Sequence, residues 1–287
     1  MNPIVAHLVS GQVLFTAFPL MIVLVLLCER IPRRDLRRLV VVMVWNCGLL
    51  GISTAAYPLW VLGFFVASLV HWSVRARLPD RRLVRSASHW LPVLVALLIL
   101  ANEIRWVVRP TVTPVADRAI VVLGDSLSAG LGEREGVPWP YQLRDSQHVQ
   151  VHNLAEAGAT TADALREIKL VDNFPGLVIV ELGGNDLLRS RPLADFEHDL
   201  DGILTHLRQT SRSVVMVELP VLPGKNAWGV VQRRLATQHA CPLIPKRLLV
   251  EVFAAPNSTV DTLHLSQSGH QHLAAAIWSV IEPALPK

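Results

Sequence analysis

Four short blocks of this 287-residue chain hold the residue types that acyl-transfer chemistry requires. Gly124-Asp125-Ser126-Leu127-Ser128 follows an apolar run, and its glycine permits a sharp turn that exposes Ser126 at a strand end. Near the C-terminus, Asp261-Thr262-Leu263-His264 sets a carboxylate three residues before an imidazole, near enough to share one turn. A serine hydroxyl is a weak nucleophile until a base takes its proton, and the base needs an acceptor that fixes its tautomer and stabilises the imidazolium. His264 and Asp261 meet those two needs. Gly183-Gly184-Asn185-Asp186 follows another apolar run and offers the Asn185 amide to a developing oxyanion. Gly158 lies in a loop, 153–161, after a further run.

Taken singly, each block has a plainer use. Gly, Asp and Ser serve the backbone hydrogen bonds of any strand-to-helix turn. An Asp three residues before a His is a common local contact. Asn185 suits a left-handed turn, and Gly158 is an ordinary loop glycine. The four blocks gain their meaning together and from the elements that carry them.

Those elements alternate. Apolar runs at 119–123, 149–154, 177–182, 214–219 and 242–245 are short, rich in Val and Ile, and nearly continuous, as strands buried on both faces are. Helical patterns separate them. In 193–209, Phe196, Leu200, Ile203, Leu204 and Leu207 recur at steps of three and four. Thr160 and Asp163 form a capping-box pattern ahead of Leu165 and Ile168. Strand and helix in alternation predict a parallel sheet with helices on both faces, whose ligand site lies beyond the carboxyl ends of the strands. Ser126 and Asn185 both fall there.

From residue 119 onward the chain resembles the SGNH, or GDSL, hydrolases. The four blocks occur in that family's order, and the wording at 123–130, 180–186 and Trp139-Pro140 is similar to bacterial thioesterase I and lysophospholipase-type arylesterases. The resemblance covers about three fifths of the chain. It implies a flavodoxin-like three-layer α/β/α domain, with Ser126 as nucleophile, His264 as general base and then acid, and Asp261 as its partner. The oxyanion hole it implies is the Ser126 N–H, the Gly158 N–H and the Asn185 side chain, supported by Gly124, Asp125, Gly184 and Asp186. The implied activity is hydrolysis of an acyl ester or thioester of a small molecule or lipid, without a cofactor or metal. Deacylation of cell-surface glycans is the alternative substrate class. A non-catalytic membrane module that keeps the fold is the alternative of a different kind.

The N-terminal part is of another character. Residues 1–117 contain twelve Arg, no Lys and five acidic residues, a net of +7, whereas 118–287 carry −3; the whole chain is +4 and 51% hydrophobic. The arginines cluster at 30–38 and 75–85 between long uncharged runs, the pattern of membrane-flanking loops and not of a nucleic-acid surface. Residues 8–28 form an uncharged stretch of 21, enough to span a hydrocarbon core. Residues 39–70 are a further 32, interrupted at Gly48, Gly51 and Pro58, and read as a hairpin turning at 53–58. A last run starts at His89 and is flanked by Trp90 and Trp106. The expectation is an all-α transmembrane unit, 1–108, with four spans at 8–28, 39–54, 57–72 and 89–106, a linker at 109–118, and the hydrolase domain at 119–287. One long middle helix, giving three spans, is the competing topology. With four, both Arg clusters face the cytoplasm, the protein is multi-pass in a bacterial inner membrane, and the catalytic domain is extracytoplasmic.

Other signals are weaker. Cys28, Cys47 and Cys241 make no disulfide framework, and the bulky residues before Cys28 do not fit a lipidation site. Gly130-Leu131-Gly132 followed by Gly136 misses dinucleotide-loop spacing by one residue. His270 and His272 fall on different faces of a helix, without the company a metal site needs. Loops 187–192 and 221–228 are the expected substrate-lining segments.

Overall fold

The computed structural model describes residues 1–28, 30–77, 90–132, 135–261 and 263–287. They form two compact units: His7–Val107 with Val221–Ala227, and Val108–Pro220 with Met1–Ala6 and Trp228–Lys287. His89, Thr262 and the arginines at 81, 82 and 85 lie outside the described residues.

The N-terminal part is helical: α1 (Pro3–Val9), α2 (Gln12–Cys28), α3 (Arg34–Ile52), α4 (Leu59–Arg77) and α5 (Leu91–Val107). Phe18, Met21, Val44, Phe65, Leu69, Trp72 and Ala96 form its core, with the Phe18 and Phe65 rings stacked at 5.1 Å. Gly51 sets the approach of α3 to α2, because a Cβ there would sit 2.5 Å from the Phe18 ring. Helix α3 ends at Ile52 and α4 begins at Leu59, after Pro58. In the turn between them Thr54 Oγ1 donates to Leu8 O at 2.8 Å and Tyr57 Oη to Ile99 O at 2.9 Å. The Asn46 amide is satisfied within its own helix, by Val42 O.

Among the described residues one helix, within Leu59–Ala76, is long and apolar enough to cross a membrane. The pair Pro3–Val9 and Gln12–Cys28 qualifies only jointly, across an 86° bend. The four expected spans therefore do not all meet the criterion. Helices α2 and α5 have 17 residues each, and α3 opens with Arg34, Asp35, Arg37 and Arg38.

The second unit is built on five strands: β1 (Ala119–Gly124), β2 (Gln150–Asn153), β3 (Leu177–Glu181), β4 (Val214–Val217) and β5 (Leu243–Ile244). All pair in parallel, in the order β2-β1-β3-β4-β5. Pro242 and Pro245 bracket β5 and hold it to two residues, since proline cannot donate to a ladder. Between the strands lie α6 (Ser126–Ala129), α7 (Trp139–Gln147), α8 (Thr161–Glu167), α9 (Gly184–Leu188), α10 (Leu193–Gln209) and α11 (Asn226–Gln238), and after β5 come α12 (Lys246–Ala254) and α13 (Gln267–Ile281).

Register turns the apolar runs into two faces. Ile120 pairs with Leu177 and Val122 with Ile179, and Ile179 with Val215. That set packs with Trp139 and Leu143 of α7, Leu248 and Leu249 of α12, and Leu273 and Ile277 of α13 in one core. Val121, Val178, Val180 and Met216 alternate with it and are equally buried. On their side lies α10, whose Phe196, Leu200, Ile203, Leu204 and Leu207 are the buried stripe. The strand order reverses direction at β1, which opens a crevice between the carboxyl ends of β1 and β3.

Candidate active site

Ser126 opens the single turn α6 directly beyond β1 and is half-buried. Asp125 caps that turn by accepting from Leu127 N at 3.0 Å. Gly124 is needed behind it: a Cβ there would lie 2.7 Å from Ser128 Oγ and 3.1 Å from Glu181 Oε2. Across the crevice Gly183 takes a φ of +108° to turn the chain from β3 into α9. Gly184 leaves room for the Asp125 carboxylate, whose Oδ2 would be 3.1 Å from a Cβ at that position.

The Asn185 amide nitrogen donates to Asp125 Oδ2 at 3.2 Å and to Ala159 O at 3.1 Å. It thereby ties together the turns after β1, β2 and β3. Gly158, with φ +81°, stands one residue before Ala159. Both amide protons are engaged in this state, so donation to an oxyanion requires one of them to swing from its present acceptor.

Asp186, next to Asn185, does a different job. It is fully buried and accepts from Thr161 N at 2.9 Å, Thr161 Oγ1 at 2.7 Å and Arg191 Nη1 at 2.5 Å. Arg191 continues to Asp199 on α10 at 2.9 Å. The loop carrying Gly158 is thus pinned, through Thr161 at the start of α8, to the helix carrying Asn185. Arg191 and Asp199 were not expected in this role, because neither belongs to a block whose residue types suggested chemistry.

Asp261 and His264 lie on the loop before α13. Asp261 Oδ1 accepts from the backbone N–H groups of Leu263 and His264, both at 2.7 Å. Its Oδ2 stands 2.8 Å from His264 Nδ1. An ionised carboxylate only accepts, so Nδ1 carries the proton and Nε2 is left as the basic nitrogen. The same bonds hold the Asp261 carboxyl down at about 2, the imidazole contact first and the two backbone N–H groups next. A backbone bond from Val260 N to His264 O at 3.0 Å and a Thr259–Leu265 bridge close the loop. The His264 charge reaches Asp125, one residue before Ser126, and lowers its carboxyl. That effect is smaller than burial, which pushes Asp125 up to about 6.

One acid of the site escaped the sequence reading. Glu181, the last residue of β3, is 5% exposed and lies beneath the Ser126 turn, accepting from Ser128 Oγ at 2.9 Å. Its only sequence signal is an acid at the carboxyl end of an otherwise apolar strand. The residues set aside stay outside this cluster. His270 is buried within α13 beside Glu135 at 3.7 Å, His272 Nδ1 pairs with Ser258 Oγ at 3.1 Å, and Gly130, Gly132 and Gly136 take positive φ in a loop. Of the segment 221–228 expected to line the substrate, Val221–Ala227 belong to the helical unit and Trp228 to the hydrolase unit.

A five-stranded parallel sheet in this order, with a serine turn after β1 and a Gly-Gly-Asn-Asp turn after β3, is the arrangement of a hydrolase of the SGNH type. Residues 122–272, just over half the chain, match the GDSL-like Lipase/Acylhydrolase family, and the chain belongs to it. It is similar to Esterase TesA of Pseudomonas aeruginosa, 26% identical over 182 residues, covering 59% of this chain and 90% of that protein. It is 28% identical over 198 residues to the Escherichia coli K12 protein named Thioesterase 1/protease 1/lysophospholipase L1, covering 63% and 95%. The crystal structure of TesA superposes with a TM-score of 0.53 at 26% identity, over 58% of this chain and 99% of that one. The chain is therefore an ester-hydrolysing serine hydrolase.

Proposed function

We propose that this chain is a membrane-anchored serine esterase or thioesterase that works through Ser126, His264 and Asp261. The observation that carries the reading is the Asp261–His264 contact, which protonates Nδ1 and frees Nε2 to act as base. His264 takes the Ser126 proton as Oγ attacks the substrate carbonyl. A tetrahedral oxyanion forms, stabilised by the Ser126 and Gly158 N–H groups and by an Asn185 N–H that leaves Ala159 O or Asp125. Collapse releases the alcohol or thiol, which takes the proton from His264, and leaves an acyl group on Ser126. Water, activated by His264, then completes hydrolysis.

A lipid acyl ester is the substrate class favoured here, since the E. coli relative is named a lysophospholipase and helix α4 has the length and apolarity of a membrane span. In this reading the N-terminal helices anchor the chain, α4 being the one described helix that meets the span criterion by itself, and the four-span order read from the sequence holds the hydrolase unit on the extracytoplasmic side. A reporter fused after Lys287 that is active only in the cytoplasm overturns that topology.

The test of the activity is hydrolysis of p-nitrophenyl esters of short and long chain by the full chain in a neutral detergent, beside Ser126→Ala. Activity that vanishes in the variant supports the reading, and the chain-length profile separates a lipid acyl site from an acetyl site. Equal rates in a folded Ser126→Ala protein would sink it.

A further inference from the structure

Gly130 and Gly136, whose spacing fits no dinucleotide loop, bound a segment with a different use. It starts from the nucleophile. Gly130 N donates to Ser126 O at 2.9 Å, so residue 130 closes the Ser126 turn and opens the loop that runs to α7. The next amide, Leu131 N, donates to Glu135 Oε2 at 2.8 Å and folds that loop back on itself. Glu135 is 3% exposed, an unusual depth for an acid in a loop. The same Oε2 stands 3.7 Å from Nε2 of His270, a fully buried residue of α13. Two residues further on, Val137 N donates at 2.8 Å to Oε1 of Gln267, in the first turn of that helix.

The approach is closer than any side chain on the loop would allow. A Cβ at Gly136 would lie 2.1 Å from Gln267 Oε1, and one at Gly130 would lie 2.8 Å from Pro138 Cγ; both residues have positive φ, +77° and +76°. The far side of the contact is joined as firmly to the base. His264, Leu265, Ser266 and Gln267 are consecutive, and Ser266 caps α13 by accepting from Gly269 N at 3.2 Å. Ser266 N donates to Ser258 O at 2.9 Å, which ties the helix start to the chain ahead of the His264 loop. Polar contacts thus run from the Ser126 turn, through Glu135 and Gln267, to the helix that begins three residues beyond His264. The apolar core shared by α7 and α13, Trp139 and Leu143 with Leu273 and Ile277, holds those helices side by side. Such packing is non-directional, whereas hydrogen bonds at the helix starts fix position to a fraction of an ångström.

We propose that Glu135 and Gln267 are positioning residues: together they clip the loop leaving the Ser126 turn onto the start of α13, and so set how far His264 Nε2 stands from the Ser126 hydroxyl. Neither is given a bond to the reacting atoms. Glu135 is the buried half of the clip and Gln267 the exposed half. A misplacement of about 1 Å between reacting groups can cost about a hundredfold in rate, and that bounds what the clip controls. The catalytic consequence rests on the serine-esterase reading above, whereas the clip itself does not.

The tests use the full chain in neutral detergent. On p-nitrophenyl esters Glu135→Ala is expected to lower kcat about 10- to 100-fold and Gln267→Ala about 10-fold, each with KM within about twofold of wild type. Glu135→Gln and Gln267→Glu keep the acceptor oxygen and are expected within about threefold of wild type. The Gln267 side chain is exposed, so its variants stay folded where Glu135→Ala fails to. Losses that the conservative variants do not restore, or that appear in KM, overturn the positioning role. Because the clip acts through His264, Gln267→Ala on a His264→Ala background is expected to cost little more than His264→Ala alone. Multiplicative losses there overturn it as well. Amide hydrogen exchange reads the clip without substrate: Val137 N–H is expected to exchange faster in Gln267→Ala, and Leu131 N–H in Glu135→Ala. Unchanged exchange at both shows that these side chains do not hold the loop and overturns the proposal. A wild-type chain that hydrolyses no ester, with both amides released in the variants, supports the clip and counts against the esterase reading alone.

Discussion

Replacing Asp261 by Asn removes one charge and reverses one hydrogen bond while leaving the loop intact. The two backbone N–H groups of Leu263 and His264 bond to Oδ1, which an asparagine retains. At the other end an amide N–H would face His264 Nδ1 where a carboxylate oxygen now accepts. The imidazole must answer with its lone pair at Nδ1, which moves the ring proton to Nε2, and Nε2 can then no longer accept from Ser126. In a triad whose carboxylate is buried, this exchange lowers kcat about 10⁴-fold. The Asp261 side chain is 54% exposed, so water replaces part of the lost stabilisation of the imidazolium, and the expected loss here is about 10²- to 10³-fold. KM should stay near wild type, because the carboxylate acts on the proton and not on the substrate. The assay is kcat and KM on p-nitrophenyl esters across pH 4 to 9, with a melting curve to show that the loop survives. Asp261 keeps its charge until the pH falls through about 2, so its contribution is complete above the ordinary carboxylate range, and the acid limb of the wild-type profile cannot belong to it. A well-folded Asp261→Asn protein within threefold of wild type would refute the assignment of Asp261 as the partner of His264.

Three further outcomes follow from the site. Asn185→Ala removes one donor of the proposed oxyanion hole and is expected to lower kcat about 10²- to 10³-fold with KM little altered, measured with the same esters. Asp186→Ala strips three hydrogen bonds from a fully buried position and leaves Arg191 with only Asp199 as a charged partner, beside the Thr161 hydroxyl, for an expected loss of about 3 kcal/mol of stability, read as a lower urea midpoint with an unchanged m-value. Asp125 carries a folded-state carboxyl raised from 3.8 to about 6, so between those values the folded protein holds a proton that the unfolded chain has released. The stability it confers is full on the acid side and is lost as the pH rises through about 6, a swing of about 3 kcal/mol. Urea midpoints of wild type minus Asp125→Asn across pH 4 to 7 should show that slope, and a flat difference counts against it.

The parts of the molecule that were legible in the sequence are those whose information is local. Five Val- and Ile-rich runs became five parallel strands, and the polar turns after the first and third lie at one crevice because strand order alone puts them there. The capping box of Thr160 and Asp163 is present as read. What stayed hidden is information carried between distant positions. Asp186 looked like a companion of Asn185, yet its partners are Thr161, 25 residues earlier, and Arg191, itself tied to α10. The uncharged run 39–70 implied helices confined to it, whereas α3 begins at Arg34 and draws the arginine cluster into its first turns, which is why charge-free length overstated how much of the helix is fit for hydrocarbon. Glu181 is the most instructive case. At the end of an apolar strand it passes for a residue emerging into solvent, and only the parallel register, which sets it opposite Gly124, puts its carboxyl under the serine turn.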